Sequence, residues 1–109
     1  MKIELQGVHL ELTPAVHKYV NEKFSALEKI VSKWDINNSL DLKIEIGRTT
    51  SHHHKGEVYM AHAHISLPSK HIQAEKYDAD IYGAIDGLKD ILKGEIVEYK
   101  EKHVSHQRK

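Results

Sequence analysis

The sequence predicts an α+β domain of order β-α-β-β-β-α: a two-layer sandwich in which two helices cover one face of a four-stranded sheet. Three observations carry the prediction. "LDLKIEI" and "VYMAHAHISL" alternate with a period of two, as half-buried strands do. Two longer stretches instead place apolar residues at three- and four-residue steps, the signature of amphipathic helices. The strand patterns also follow one another through turn-forming residues, so the middle of the chain reads as a meander.

The first element is "KIELQG", where Ile3 and Leu5 alternate with polar neighbours. Thr13-Pro14 then supplies a helix start, with Thr13 as N-cap and Pro14 at the first helical position. Val16, Tyr19, Val20, Phe24, Leu27, Ile30, Val31 and Trp34 form the apolar stripe of one helix of about five turns, ending near "WDINNS". In the second strand Leu40, Leu42, Ile44 and Ile46 share one face, and Asp41, Lys43 and Glu45 share the other. Gly47 to Gly56 reads as a polar connection, and Tyr59, Ala61, Ala63, Ile65 and Leu67 give the third strand its inward parity. "HIQAE" is a short fourth strand after the Leu67-Pro68-Ser69 turn. Asp78 or Asp80 caps a second helix striped by Ile81, Ile85, Leu88, Leu92, Ile96 and Tyr99. Gly94 within that helix costs about 1 kcal/mol relative to Ala, which suggests a close packing contact or a weak point. A single domain is expected over residues 1–102, with a frayed tail over 103–109.

Size and composition bound the function. A chain of 109 residues without cysteine can form one core, but no disulfide or thiolate metal site. No apolar run approaches a membrane span, and the charged start "MKIELQGVHLELT" does not read as a secretion signal, so a cytoplasmic location is expected. Sixteen basic residues balance sixteen acidic ones, so nucleic-acid binding has to rest on local asymmetry. No nucleophile elbow, phosphate loop or HExxH helix is present, and Asp86, Asp90, Glu95, Glu98 and Glu101 read as a solvated helix face, with Glu98 and Lys102 as an i,i+4 pair. The chain is therefore not expected to be an enzyme, and no cofactor is expected.

Half of the ten histidines fall within "SHHHKGEVYMAHAH". His52, His53 and His54 belong to the polar connection. His62 and His64 share the open face of the sheet with Lys43, Glu45, His71, Gln73 and Glu75. Two imidazoles at i and i+2 can chelate, and Glu45 or His71 could complete a set, but no usual zinc spacing is present. The face reads first as a solvated surface, with His62 and His64 as weak metal candidates.

Several motifs together resemble the family of ribosome hibernation promoting factors, also known as ribosome-associated inhibitors or sigma-factor modulation proteins. Gly7, Leu10-Glu11-Leu12-Thr13 and Lys23-Phe24-Ser25-Ala26-Leu27-Glu28 resemble its first-helix region. "AHAHISLP" resembles its third strand and turn. Ala74-Glu75, Asp80, Tyr82, Ala84-Ile85-Asp86, Leu88, Asp90 and Leu92 match its most specific motif. The resemblance covers essentially the whole chain and implies a fold similar to a double-stranded RNA-binding domain. It also implies a short-form member that binds the small ribosomal subunit between head and body, over the positions of messenger and transfer RNA, when growth stops.

Such a protein needs cations aimed at phosphates. The resemblance points to Lys23 on the first helix and to Lys100 and Lys102 at the end of the second, presented together. Lys18, Lys89, Lys93 and Arg108 add charge by inspection. Gly94, Glu95 and Glu98 stand where the family commonly has Arg, Gln and Lys, and residues 87–109 carry only six basic against four acidic side chains. The implied partner is ribosomal RNA of the small subunit, with no membrane, no DNA, and a free form that is a monomer or weak dimer. A regulatory protein-interaction module on the same fold, or a histidine-based metal-binding protein, are the alternatives.

Overall fold

Strand β1 (Lys2–Val8) is followed by helix α1 (Pro14–Ser25), a one-turn helix α2 (Glu28–Val31) and two single-turn 3-10 segments (Ser32–Trp34, Ile36–Asn38). Strands β2 (Asp41–Arg48), β3 (Tyr59–Leu67) and β4 (Lys70–Asp78) come next, and helix α3 (Ile81–Gln107) closes the chain. The computed structural model describes residues 1–49 and 58–107, of which 103–107 are described in backbone alone. His52, His53, His54 and Arg108 lie outside the described residues.

The sheet has the order β1-β2-β3-β4, with β1 parallel to β2 and the other pairs antiparallel. Alternation sorts its two faces. Leu42, Ile44, Ile46, Ala61, Ala63, Ile65 and Ile72 are buried beneath the helices, while Lys43, Glu45, Ser66, His71 and Gln73 are exposed on the other face. From the helical layer, Val16, Val20, Phe24 and Leu27 meet Ile85, Leu88, Leu92 and Ile96 in the core, where each large side chain contributes about 1.5–3 kcal/mol. Among the described residues no polar side chain is buried. The core is uniformly apolar.

Local chemistry sets the helix ends. The Val16 N–H donates to Thr13 Oγ1 at 3.2 Å, and Pro14 opens α1 as expected. Asp80 is the cap of α3: its Oδ2 accepts from the Gly83 N–H at 3.1 Å. Asp78 Oδ1 in turn accepts from the Asp80 N–H at 2.9 Å.

Three expectations need correction. The first helical stretch is not continuous but breaks after Ser25. The Ser25 hydroxyl donates to the Asn21 carbonyl at 2.5 Å, and Leu27 N–H bonds Phe24 O, three residues back, at 3.0 Å. A hydroxyl that takes an i−4 carbonyl disturbs the regular ladder, and the chain tightens there. The apolar stripe survives the break, since Leu27 and Val31 are fully buried.

Strand β4 reaches from Lys70 to Asp78, well beyond "HIQAE". Its last inward positions are polar, which hid it. Two glycines of α3 make room for them: a Cβ at Gly87 would stand 2.8 Å from Lys76 Cγ, and one at Gly83 2.8 Å from Asp78 Oδ2. Gly94, by contrast, has nothing within 4 Å of its Cβ direction and is no packing contact. Helix α3 itself runs to Gln107.

Asp35 ties the start of the chain to β2. Its carboxylate accepts from the Met1 ammonium and, at 3.0 Å, from the Leu40 N–H. The bond from the ammonium, then that from the Leu40 N–H, holds the carboxyl below its usual range. Because the ionised form is favoured in the folded state, the stabilisation is present above the unfolded value near 3.9 and is lost as pH falls through the lower folded value. Asp35→Asn should therefore flatten the acid limb of a stability-against-pH curve below about pH 4. Two glycine substitutions should act in opposite directions in denaturant melts. Gly7→Ala drives a Cβ to 2.1 Å from the Leu10 carbonyl oxygen and should cost about 1–3 kcal/mol. Gly94→Ala should add up to about 1 kcal/mol.

Candidate nucleic-acid interface

Helices α1 and α3 meet along a seam built from aromatic and charged side chains. Tyr19 and Tyr82 pack edge to face, with centroids 4.8 Å apart and planes at 82°. The Tyr19 hydroxyl donates to Asp86 Oδ1 at 2.6 Å, and Lys23 Nζ stands 3.6 Å from the same oxygen and 5.3 Å from the Tyr19 ring centroid. The bond to Asp86, aided by burial, pushes the Tyr19 phenol up; the Asp86 charge, then Tyr19, pushes the Lys23 ammonium up. Lys23 is thus a cation at any physiological pH, but one already facing a carboxylate.

At 100° per residue, Lys89, Lys93 and Lys100 fall on the same flank of α3 as Tyr82 and Asp86. Among the described residues none of these three ammoniums has a carboxylate within 4 Å. They extend the seam into a basic flank that begins at Lys23.

The other expected cations do not join it. Lys102 is two residues from Lys100 and so projects to the opposite side of α3, beside Ser69, Lys70, Glu95 and Tyr99, and it pairs with Glu98 at 3.3 Å. Lys18 pairs with Glu22 at 3.9 Å on the exposed side of α1. Lys23, Lys100 and Lys102 are therefore not presented together, and two of the three are partnered. Exposed pairs of this kind contribute little and open readily to a competing anion. Sequence reasoning missed Asp86 as a seam residue because it lay among charges read as solvated. Its signal was the spacing Tyr82-Asp86, one turn apart on the flank that also carries the lysines.

The open face of the sheet bears the histidines. His62 is paired with Glu75 across β3 and β4, His64 with Gln73, and Ser66 with His71. His62 Nε2 lies 3.2 Å from Gln73 Oε1, and its Nδ1 3.8 Å from Glu45 Oε1. His64 Nδ1 lies 3.3 Å from His71 Nε2, and Ser66 Oγ 2.7 Å from His71 Nδ1. Burial, then the neighbouring His71, His62 and Lys43, lowers the His64 pKa. Among the described residues no set of three or more His, Asp or Glu side chains is arranged to hold a metal ion. No helix of the described residues is long and apolar enough to cross a membrane.

Fold and surface define a small α+β domain whose helical side carries a basic flank and whose sheet side carries imidazoles. The pattern of the family described as "Sigma 54 modulation protein / S30EA ribosomal protein" matches residues 3–104, and the chain belongs to this family. A ribosome hibernation promoting factor of Klebsiella oxytoca is 30% identical over 106 residues, covering 97% of this chain and 100% of that protein. The N-terminal domain of Thermus thermophilus protein Y is 28% identical, with a TM-score of 0.69 over 91% of this chain and 99% of that domain. A ribosomal subunit interface protein of Coxiella burnetii shares the fold at 20% identity, with a TM-score of 0.73 over 93% of this chain and 99% of that one.

The Tyr19–Asp86 bond is testable alone. Tyr19→Phe should lower stability by about 1 kcal/mol, a fall in Tm of roughly 4 °C read by thermal denaturation.

Proposed function

We propose that this chain is a ribosome hibernation factor that binds the small subunit in the channel between head and body. It occupies the path of messenger RNA and transfer RNA when growth stops, and so silences translation without catalysing a reaction. The name of the Klebsiella oxytoca relative supports the hibernation role. The observation that carries the contact is the basic flank of α3, where Lys89, Lys93 and Lys100 line up beside the Lys23–Asp86 seam.

Each ammonium that reaches a phosphate releases condensed counterions, so affinity falls steeply with salt. The net charge of the chain is zero, and long-range attraction is therefore weak. Binding then depends on where the cations sit. In this reading Lys23 contributes once a phosphate displaces Asp86 from it, and Lys18 and Lys102 are peripheral. The action is set in the cytoplasm, where ribosomes are.

Sedimentation with purified small subunits across a salt series tests the reading. Replacing Lys89, Lys93 and Lys100 together by Ala should reduce the slope of log affinity against log salt by about 2–3 and weaken binding. Lys18→Ala and Lys102→Ala should leave the slope nearly unchanged. Failure to co-sediment, or binding indifferent to salt, would instead favour a protein partner and overturn the RNA contact.

A further inference from the structure

We propose that the open face of the sheet binds one divalent transition-metal ion of the zinc class between Nδ1 of His64 and Nε2 of His71, with water completing its coordination. These nitrogens are 3.3 Å apart, and the rings meet edge to face with centroids 5.1 Å apart and planes at 71°. Two nitrogens bound at about 2.0–2.1 Å to a tetrahedral zinc ion stand about 3.3 Å from each other. The pair already spans one edge of that tetrahedron.

The sheet fixes this spacing. His64 on β3 and His71 on β4 occupy diagonal positions across an antiparallel pair, since Ser66 faces His71 and Gln73 faces His64. Ser66 also holds the far side of the His71 ring, its Oγ 2.7 Å from Nδ1. Ligand imidazoles characteristically engage an oxygen through the second ring nitrogen, which fixes the tautomer and aims the first at the metal. With Nδ1–H of His71 donating to Ser66, the Nε2 lone pair points to the shared position.

Without the ion, one proton lies between the two rings. On binding, His64 exchanges that proton from Nδ1 to Nε2, so both rings remain neutral and each offers one lone pair. The depression in front of them is about 590 Å3, and Glu4 and Glu45 line it against the single cation Lys43. That balance favours a cation and leaves room for its water. His62 is not a ligand: its Nε2 faces Gln73, and its ring lies 6.2 Å from that of His64 with the planes at 29°. Two protein ligands make the site weaker than a closed four-ligand zinc site, with positions open to exchange.

Calorimetric titration of the full, untagged chain with zinc chloride tests this, with cobalt(II) absorption as a second reading of coordination. One ion per chain is expected. His64→Ala and His71→Ala should each weaken binding at least tenfold, and Ser66→Ala about tenfold. His62→Ala should leave affinity unchanged, as should joint replacement of His52, His53 and His54 by Ala. All these side chains on the strands lie on the solvent face, and circular dichroism of each variant is the check that it folds. Three results would overturn the site: no one-to-one saturation, unchanged binding in His64→Ala and His71→Ala, or loss of binding in the variant of residues 52–54.

Discussion

Over residues 41–46, 61–67 and 71–75 the strands alternate between apolar and polar residues, and both surfaces of the molecule follow from that constraint. Because a one-residue slip would turn every side chain over, the register that buries Leu42, Ala63 and Ile65 also fixes Lys43, His64 and Ser66 outward. The helices can then lie only on the apolar side. Their mutual packing, with Tyr19 against Tyr82 and Phe24 in the core, brings Lys23 to Asp86 and turns one flank of α3 toward α1. Lys89, Lys93 and Lys100 therefore stand on the helical side, and His62, His64 and His71 on the sheet side.

The cations are few, and their placement matters more than their number. Lys18, Lys23 and Lys102 each face a carboxylate, so a count of basic residues overstates what the surface offers to a polyanion. Lys89, Lys93 and Lys100 gain weight because helical geometry aligns them. Asp86 has a double part in this layout. It holds Tyr19 and so braces the seam, and it screens Lys23, where the flank begins.

Much of the fold was legible in the sequence where one periodicity spoke alone. The alternation of "LDLKIEI" and "AHAHISL" placed the neighbours of His62 and His64 correctly, strand by strand. Legibility failed where a side chain broke its own pattern. Lys76 and Asp78 point toward the helices and so concealed the second half of β4, because the glycines that admit them, Gly87 and Gly83, lie far along the chain. The hydroxyl of Ser25 interrupted a helix whose apolar stripe continues unbroken. At the candidate interface, residue types were readable but sides were not assembled: Lys100 and Lys102 are neighbours in sequence and opposed on the helix. The Lys23–Asp86 pair depends on a tertiary distance that spacing along the chain cannot supply, whereas Lys18–Glu22 and Glu98–Lys102 are i,i+4 pairs.

The parallel pairing of β1 with β2 has a kinetic side. Lys2 pairs with Asp41 only after the intervening helical segment has crossed over, whereas β2 joins β3 and β3 joins β4 through direct connections. Folding should therefore assemble the meander first and seat β1 late. Until then β2 is an edge with an unsatisfied ladder and the apolar row Leu42, Ile44, Ile46 beside it. A nascent chain caught at that stage would recruit any extended segment nearby, so prompt arrival of the first few residues protects the protein from self-association.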